Sequence, residues 1–296
     1  MPRTAHPFAA LHNAAEYVRR FRNRPFVVKL GGDILEDEAL CRSVCGQLAL
    51  LWSFSIPLVI VHGGGTGLDA LCESLALPTE KVEGRRVTPP GVLDAAKMAF
   101  KGRIQMGLLA ALQAAGLPAV GISGQDAGLV TSRKRGPVTV DGRTVDYGMV
   151  GDVVSVDPSL LKTLLDGGFV PVVAPFSATA EGQVLNTNAD TVAAEIAAAL
   201  GVEKLFFILK VPGLMRDLKD ASSLVPLADL STLEEMKAVI QGGMKPKIAA
   251  AKRALAAGVH GVHLVSGSRA DAILAEVFTN EGSGTMIVAD RNGVTP

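Results

Sequence analysis

Two glycine loops at the ends of apolar runs constrain this chain more than any other feature. The run Pro57-Leu58-Val59-Ile60-Val61-His62 stops abruptly at Gly63-Gly64-Gly65. A short apolar run bounded by glycines reads as a buried strand. Three consecutive glycines at its end leave several backbone N–H groups with no Cβ in the way, which is what close approach to a phosphate requires. The design recurs at Phe26-Val27-Val28-Lys29-Leu30-Gly31-Gly32, where a lysine stands just ahead of the glycine pair. Two such loops, one carrying a lysine, point to a site where phosphate moves.

The rest of the chain alternates apolar runs with helical patterns. Residues 8 to 22 form an amphipathic pattern with Phe8, Leu11, Ala14, Ala15, Val18 and Phe21 on one face. Helical patterns follow over 37 to 53, Gly67 to Leu77, and Val92 to Ala115, the last stopped by Gly116-Leu117-Pro118. Strands are expected at 119 to 124, at Val170 to Pro175, at Leu205 to Leu209, at Val262 to Val265 and at Thr285 to Val288. Pro171 suggests a strand start or an edge. Asp141-Gly142 marks a hairpin turn between 137 and 156. Helices are expected over Leu160 to Leu165, Asp190 to Leu200, Ser231 to Ile240 and Pro246 to Ala257. Strands alternating with helices imply a mainly parallel sheet covered on both faces, a three-layer α/β/α sandwich.

The 296 residues allow one large domain or two lobes, and 48% hydrophobic residues supply a sizeable core. Lys+Arg and Asp+Glu both number 29, against the basic excess of a nucleic-acid or membrane-surface protein. No apolar stretch reaches the roughly 18 residues of a spanning helix. The Met1–His6 stretch lacks an apolar signal core. Cys41, Cys45 and Cys72 form no metal-ligand spacing with the five histidines. They read as core thiols in a reducing, cytoplasmic compartment, and no metal site is expected from protein side chains.

Several polar residues stand out. Lys29 is either a snorkelling surface lysine or a fixed cation beside a phosphoryl group; the neighbouring glycines favour the second. Arg86, in Gly84-Arg85-Arg86-Val87-Thr88, suits a carboxylate clamp, with a solvated arginine as the plain alternative. Asn186-Thr187-Asn188-Ala189-Asp190 opens an Ala-rich helix. Capping needs one such residue, so three at alternate positions exceed the need. Lys247, in Gly242-Gly243-Met244-Lys245-Pro246-Lys247, would sit in a helix's first turn, where the dipole disfavours a cation unless an anion lies close. His62 reads as a hydrogen-bonded strand-end residue rather than a base. There is no Walker loop, no protein-kinase set, no nucleophile elbow, and no dinucleotide fingerprint after the first strand.

In order and spacing these stretches, together with Gly121-Ile122-Ser123-Gly124, Val211-Pro212-Gly213 and Gly282-Ser283-Gly284-Thr285-Met286-Ile287, resemble the amino-acid kinase family over Phe26 to Val288. The Gly-Arg-Arg-Val-Thr and Gly-Gly-Met-Lys-Pro-Lys stretches are similar to its acetylglutamate branch. The resemblance implies the amino-acid kinase fold and ATP- and Mg²⁺-dependent phosphorylation of the side-chain carboxylate of N-acetyl-L-glutamate, in arginine biosynthesis. It implies Lys29 and Lys247 as charge stabilisers held by Asp190. It assigns Gly63, Gly64, Arg86 and Asn186 to the acid substrate, and Lys210, Val211, Gly213, Leu214 and Met215 to the nucleotide. It further implies an N-terminal helix over 1–25, a substrate-binding and dimerising lobe over 26–180, a nucleotide lobe over 181–296, and a homodimer or a hexamer built as a trimer of dimers.

This chain departs from the family pattern at Lys210, where an Asp is usual, at Gly124-Gln125-Asp126-Ala127-Gly128, and at Thr66 and Gly67. An acetylated or carrier-linked aminoadipate, or a catalytically weak amino-acid or nucleotide sensor, stays open as the alternative. Asp271 stands where the family's arginine-site histidine is expected, with Glu276 retained.

Overall fold

A computed structural model of the chain describes residues 9–291. Phe8 and the Met1–His6 stretch lie outside the described residues. The apolar runs become one continuous eight-stranded sheet. In chain order its strands are β1 (Phe26–Leu30), β2 (Leu58–His62), β3 (Ala119–Ser123), β4 (Val170–Ala174), β5 (Lys204–Leu209), β6 (Leu227–Ala228), β7 (Gly261–Ser266) and β8 (Thr285–Ile287). Across the sheet they run β6-β8-β7-β5-β1-β2-β4-β3. Every neighbouring pair is parallel except β7 with β8. Strands from before residue 180 occupy one side of β1 and those from after it the other.

Each residue of β1, β2, β4 and β7 is buried. That is why these strands read as unbroken apolar runs instead of alternating ones. Successive side chains nevertheless point to opposite faces. Val27, Val59, Val61, Val173, Leu205 and Phe207 enter one core, which the helices Ser159–Asp166, Ala189–Leu200 and Met244–Ala256 cover. Phe26, Val28, Leu58, Ile60, Phe206 and Ile208 enter the other, under Glu38–Ser53, Gln105–Ala114 and Ala272–Phe278. The architecture is the expected α/β/α sandwich.

A smaller sheet, ordered Val184–Asn186, Phe176–Ala178, Val130–Lys134 and Gly151–Val156, stands beside the main one. Among the described residues the remaining strands form two hairpins: Lys81–Val82 with Arg85–Arg86, and Val138–Val140 with Arg143–Val145. The second turns at Asp141-Gly142, as the dipeptide predicts.

Two elements differ from the sequence expectation. The long helix is interrupted: Pro90–Lys97 and Gln105–Ala114 are α-helical, but Met98–Ile104 between them is wound as a π-helix. The wider turn lets Phe100 and Ile104 pack on Gly64 while Gln105 faces the sheet, where its Nε2 donates to Ile122 O (2.8 Å) and Val172 O (2.9 Å). The helix expected over Ser231 to Ile240 is shorter, spanning Leu230–Glu235. Pro171, second in β4, is the strand-start proline that the sequence allowed, in a strand lying between β2 and β3.

Candidate active site

Strand parity positions Lys29. It shares a face with Val27, and that face is covered by the Ala189–Leu200 helix. Asn188 caps this helix, its Oδ1 accepting from Thr191 N at 3.0 Å. Asp190, in the first turn, is therefore spared from capping. Its carboxylate is buried against the sheet, with Oδ1 2.7 Å from Lys29 Nζ and Oδ2 3.5 Å from Lys247 Nζ. The first contact is an ion pair without a well-directed hydrogen bond. Lys247 also donates to Gly243 O at 3.1 Å. The two lysines lie far apart in the chain, Lys29 in β1 and Lys247 in the first turn of the Met244–Ala256 helix.

Burial alone would push the Asp190 carboxyl up, but the charges of Lys29 and Lys247 overcome this and hold it below the usual range. Lys247 is pushed down, by burial first and by the charge of Lys29. Two cations thus share one anion in a place with little water: Lys29 and Asp190 are only 5% and 4% exposed. The uncompensated positive charge is what a transferring phosphoryl group would meet.

The two glycine loops close around this cluster. Gly32 and Gly64 pass so near each other that a Cβ on Gly32 would lie 3.0 Å from Gly64 Cα. A Cβ on Gly63 would point at Lys29 Nζ from 3.7 Å. At Gly32 only a side-chain-free residue leaves this approach open. The resulting cavity, of about 430 Å³, is lined by Lys29, Gly63 to Gly65, Arg86, Asn186, Asp190 and Gly243, among others. Arg86 is fixed in its wall: Nη1 lies 2.5 Å from Asp69 Oδ1, and Nη2 donates to Gly65 O at 2.9 Å. Asn186 donates from Nδ2 to Thr88 Oγ1 at 3.1 Å. Lys247 meets the cavity through Asp190 and Gly243.

Lys210 and Val211 are exposed where β5 ends, beside the end of β1 that carries Lys29. Gly213, Leu214 and Met215 are buried. A Cβ on Gly213 would strike Thr285 Oγ1 at 2.6 Å, and Leu214 N donates to the same hydroxyl at 2.9 Å. Their side of the segment is held by packing, and they do not line the lysine cavity.

His62 is fully buried, its Nδ1 3.1 Å from Gly63 O. Burial, with the charges of Lys101 and Lys29, pushes its pKa down to about 4, so the ring is neutral at pH 7 and serves the strand end. The histidine facing Glu276 is His263 of β7, at 2.7 Å from Nδ1 to Oε1; Asp271 instead begins the Ala272–Phe278 helix. Lys204 Nζ lies 2.9 Å from His263 Nε2. An ammonium group can only donate, so Nε2 accepts and the ring proton sits on Nδ1, donating to Glu276.

Asp69 was not singled out by sequence, yet it orients both Arg86 and Lys81, the latter at 2.6 Å from Nζ to Oδ2. Its helix, Gly65–Ser74, starts directly from the glycine loop, which was the available signal.

The sequence profile of the amino acid kinase family matches residues 24–266. The chain belongs to the amino acid kinase family. An acetylglutamate kinase of Myxococcus xanthus (strain DK1622) is 56% identical over 98% of this chain and 97% of its own. One from Synechococcus sp. (strain RCC307) is 41% identical over 95% of this chain and 93% of its own. Among solved structures, the N-acetylglutamate synthase of Neisseria gonorrhoeae complexed with coenzyme A and N-acetyl-glutamate aligns with a TM-score of 0.84 at 26% identity. It covers 97% of this kinase-family chain, which spans 64% of the synthase chain. A carbamate kinase from Giardia shares the fold, with a TM-score of 0.66 at 16% identity over 90% of this chain and 99% of its own.

Proposed function

We propose that the protein transfers the γ-phosphoryl group of ATP to the side-chain carboxylate of N-acetyl-L-glutamate, giving N-acetyl-L-glutamyl 5-phosphate for arginine biosynthesis. The observation that carries this is the pair of lysines around one buried aspartate, at the mouth of two glycine loops. The acetylglutamate kinases similar to this chain support the choice of acid.

The chemistry follows from the site. A carboxylate is ionised at pH 7, so attack needs no general base. One carboxylate oxygen forms a bond to the γ-phosphorus as the bond from that phosphorus to the β,γ-bridging oxygen breaks, and ADP leaves with the electron pair. Negative charge gathers on the equatorial oxygens, where Lys29 and Lys247 stabilise it. Asp190 keeps both ammonium groups in place and never touches the reacting atoms. Gly63 and Gly64 offer backbone N–H groups to the reacting end of the acid. Arg86 takes its α-carboxylate and Asn186 adds a polar contact, so the nucleophile is held rather than searched for. Lys210 and Val211, exposed at the end of β5, would meet the nucleotide, while the buried Gly213, Leu214 and Met215 would hold that turn in place from behind.

Among the described residues no group of three His, Cys, Asp or Glu side chains could hold a metal. Asp190 is taken by lysines. Mg²⁺ would enter with the nucleotide rather than on a side-chain site of its own, and would offset phosphate charge.

Residues 26–180 would then act as the acid-binding and dimerising lobe, 181–296 as the nucleotide lobe, and the N-terminal 1–25 as a helical appendage of a homodimer or hexamer in the cytoplasm. No helix among the described residues is long and apolar enough to cross a membrane.

Hydroxylamine trapping of the acyl phosphate tests the reading. N-acetyl-L-glutamate should outperform glutamate, aspartate and N-acetyl-aminoadipate; a preference for any of these three would overturn the choice of acid. Calorimetry with ATP and Mg²⁺ separates the enzyme from a sensor lacking nucleotide affinity, which would give no heat.

A further inference from the structure

Behind the shared wall of the reaction cavity lies a second, smaller cavity of about 290 Å³. Four arginines line it: Arg85, Arg133, Arg135 and Arg253. Two are partly neutralised. Arg135 donates from Nε to Asp152 Oδ1 at 3.0 Å, and its guanidinium lies over the Tyr147 ring, 5.5 Å from the centroid. Arg253 Nε is 2.5 Å from Glu195 Oε1. Arg85 and Arg133 have no carboxylate within ion-pair distance among the described residues. Two guanidinium charges therefore remain unbalanced in one small concavity.

Like charges gathered this way repel, and more strongly near a protein surface than in bulk water. The fold holds them there regardless. Arg85 is tethered by the Lys81–Val82/Arg85–Arg86 hairpin, Arg135 by Asp152 and Tyr147, and Arg133 by the pairing of its strand, Val130–Lys134, with Gly151–Val156. Burial and the nearby charge of Arg135 push the Arg85 pKa down, and the opposite charges of Asp152 and Glu83 offset this only in part. A planar guanidinium is the side chain best matched to phosphate and carboxylate oxygens, which it meets with two parallel hydrogen bonds. Gly151, Asp152, Val153, Thr187, Asn188 and Thr191 complete the lining; Asp152 is the one carboxylate among the lining residues, and it is already taken by Arg135. Arg85, Thr187 and Asn188 also line the reaction cavity, so the two sites are neighbours through one wall.

We propose that this arginine-lined cavity is a second anion site, distinct from the reaction cavity, for a compact, multiply charged anion such as a di- or triphosphoryl group or a tricarboxylate. The assignment does not depend on which acid the neighbouring cavity phosphorylates.

Isothermal titration of the full chain, free of nucleotide and acid, would use inorganic pyrophosphate and citrate in separate runs, at constant ionic strength set with sodium chloride. The two arms distinguish a phosphoryl ligand from a polycarboxylate. The unmodified protein should bind at least one of them. The double variant Arg133→Gln/Arg253→Gln should bind it about tenfold more weakly or worse, as expected for losing charge-assisted hydrogen bonds. Lys247→Gln, altered only at the reaction site, should keep the affinity. Both arginines are largely solvent-exposed, so their loss should leave circular dichroism unchanged; if it does not, Arg133→Gln alone serves. No heat with either anion, an unaltered affinity in the arginine variant, or a loss confined to Lys247→Gln would each overturn the proposal.

Discussion

Lys29 occupies a position in β1 that its neighbours fill with apolar side chains, and Asp190 alone makes that tolerable. Removing either lysine should cost catalysis more than substrate binding. Lys29→Ala and Lys247→Ala should each lower kcat about 10²- to 10³-fold, the scale of deleting one donor aimed at developing charge. Steady-state rates with N-acetyl-L-glutamate check this, and near-normal turnover in either variant would contradict the mechanism. Asp190→Ala acts differently. It leaves a nearly buried ammonium at Lys29 without its partner, and breaking such a pair typically costs about 3–5 kcal/mol of stability. Urea unfolding should show that loss, with a Lys29→Met/Asp190→Leu double variant recovering much of it. The residue types at this site were legible in the sequence: a lysine before glycines, a surplus acid at a helix start, a cation where a helix dipole opposes it. Their meeting was implied by the family resemblance alone, not by the residue types. It depends on the parity that puts Lys29 on the face beneath the Ala189–Leu200 helix, and on a helix folded from the other end of the chain. Asp69 escaped notice because its one signal, a helix starting at the glycine loop, does not tell which carboxylate of that helix turns toward Arg86.

Between elements, the approach of the two glycine loops is the critical contact. Gly32→Ala would set a methyl group 3.0 Å from the Gly64 backbone, which cannot rotate away as a side chain would. The loops would have to part, at an overpacking cost of about 1–3 kcal/mol. The expected outcome is a folded protein with a strongly reduced kcat, checked by melting temperature alongside rate. Full activity in Gly32→Ala would mean that the spacing of the loops does not matter. Most strands and helices were legible, because buried parallel strands leave unbroken apolar runs. The π-wound segment Met98–Ile104 was not, since its residues carry an ordinary helical pattern. Its cause lies across the fold, in Gly64 and the carbonyls of Ile122 and Val172 that Gln105 must reach. The arrangement of Leu214 and Met215 was hidden for a similar reason: a turn sequence does not tell which of its side chains go inward.

For the whole molecule, acid should be the weak direction. Burial holds His62 at about 4 and, with the nearby charge of Lys204, holds His263 at about 4 as well. In the unfolded chain both return to about 6.5. Above that value neither state carries the extra protons and stability is complete. As pH falls from 6.5 toward 4 the unfolded chain binds protons that the folded one refuses, so stability declines. Glu276, held down to about 2 despite its burial by its hydrogen bonds from His263, Ser283 N and Gly284 N, adds a loss of the same sign below 4.5. Urea midpoints measured from pH 7.5 to 4.5 should fall throughout the lower part of that range; a level profile would contradict the buried neutral histidines. The split of the sheet about β1 has a further consequence for a chain still being synthesised. A nascent polypeptide grown only as far as Leu200 has its glycine loops and Lys29 but lacks the second ammonium group. With the roles proposed for Lys29 and Lys247, phosphoryl chemistry would be withheld from fragments, and its onset would report that the late strands have docked beside the early ones.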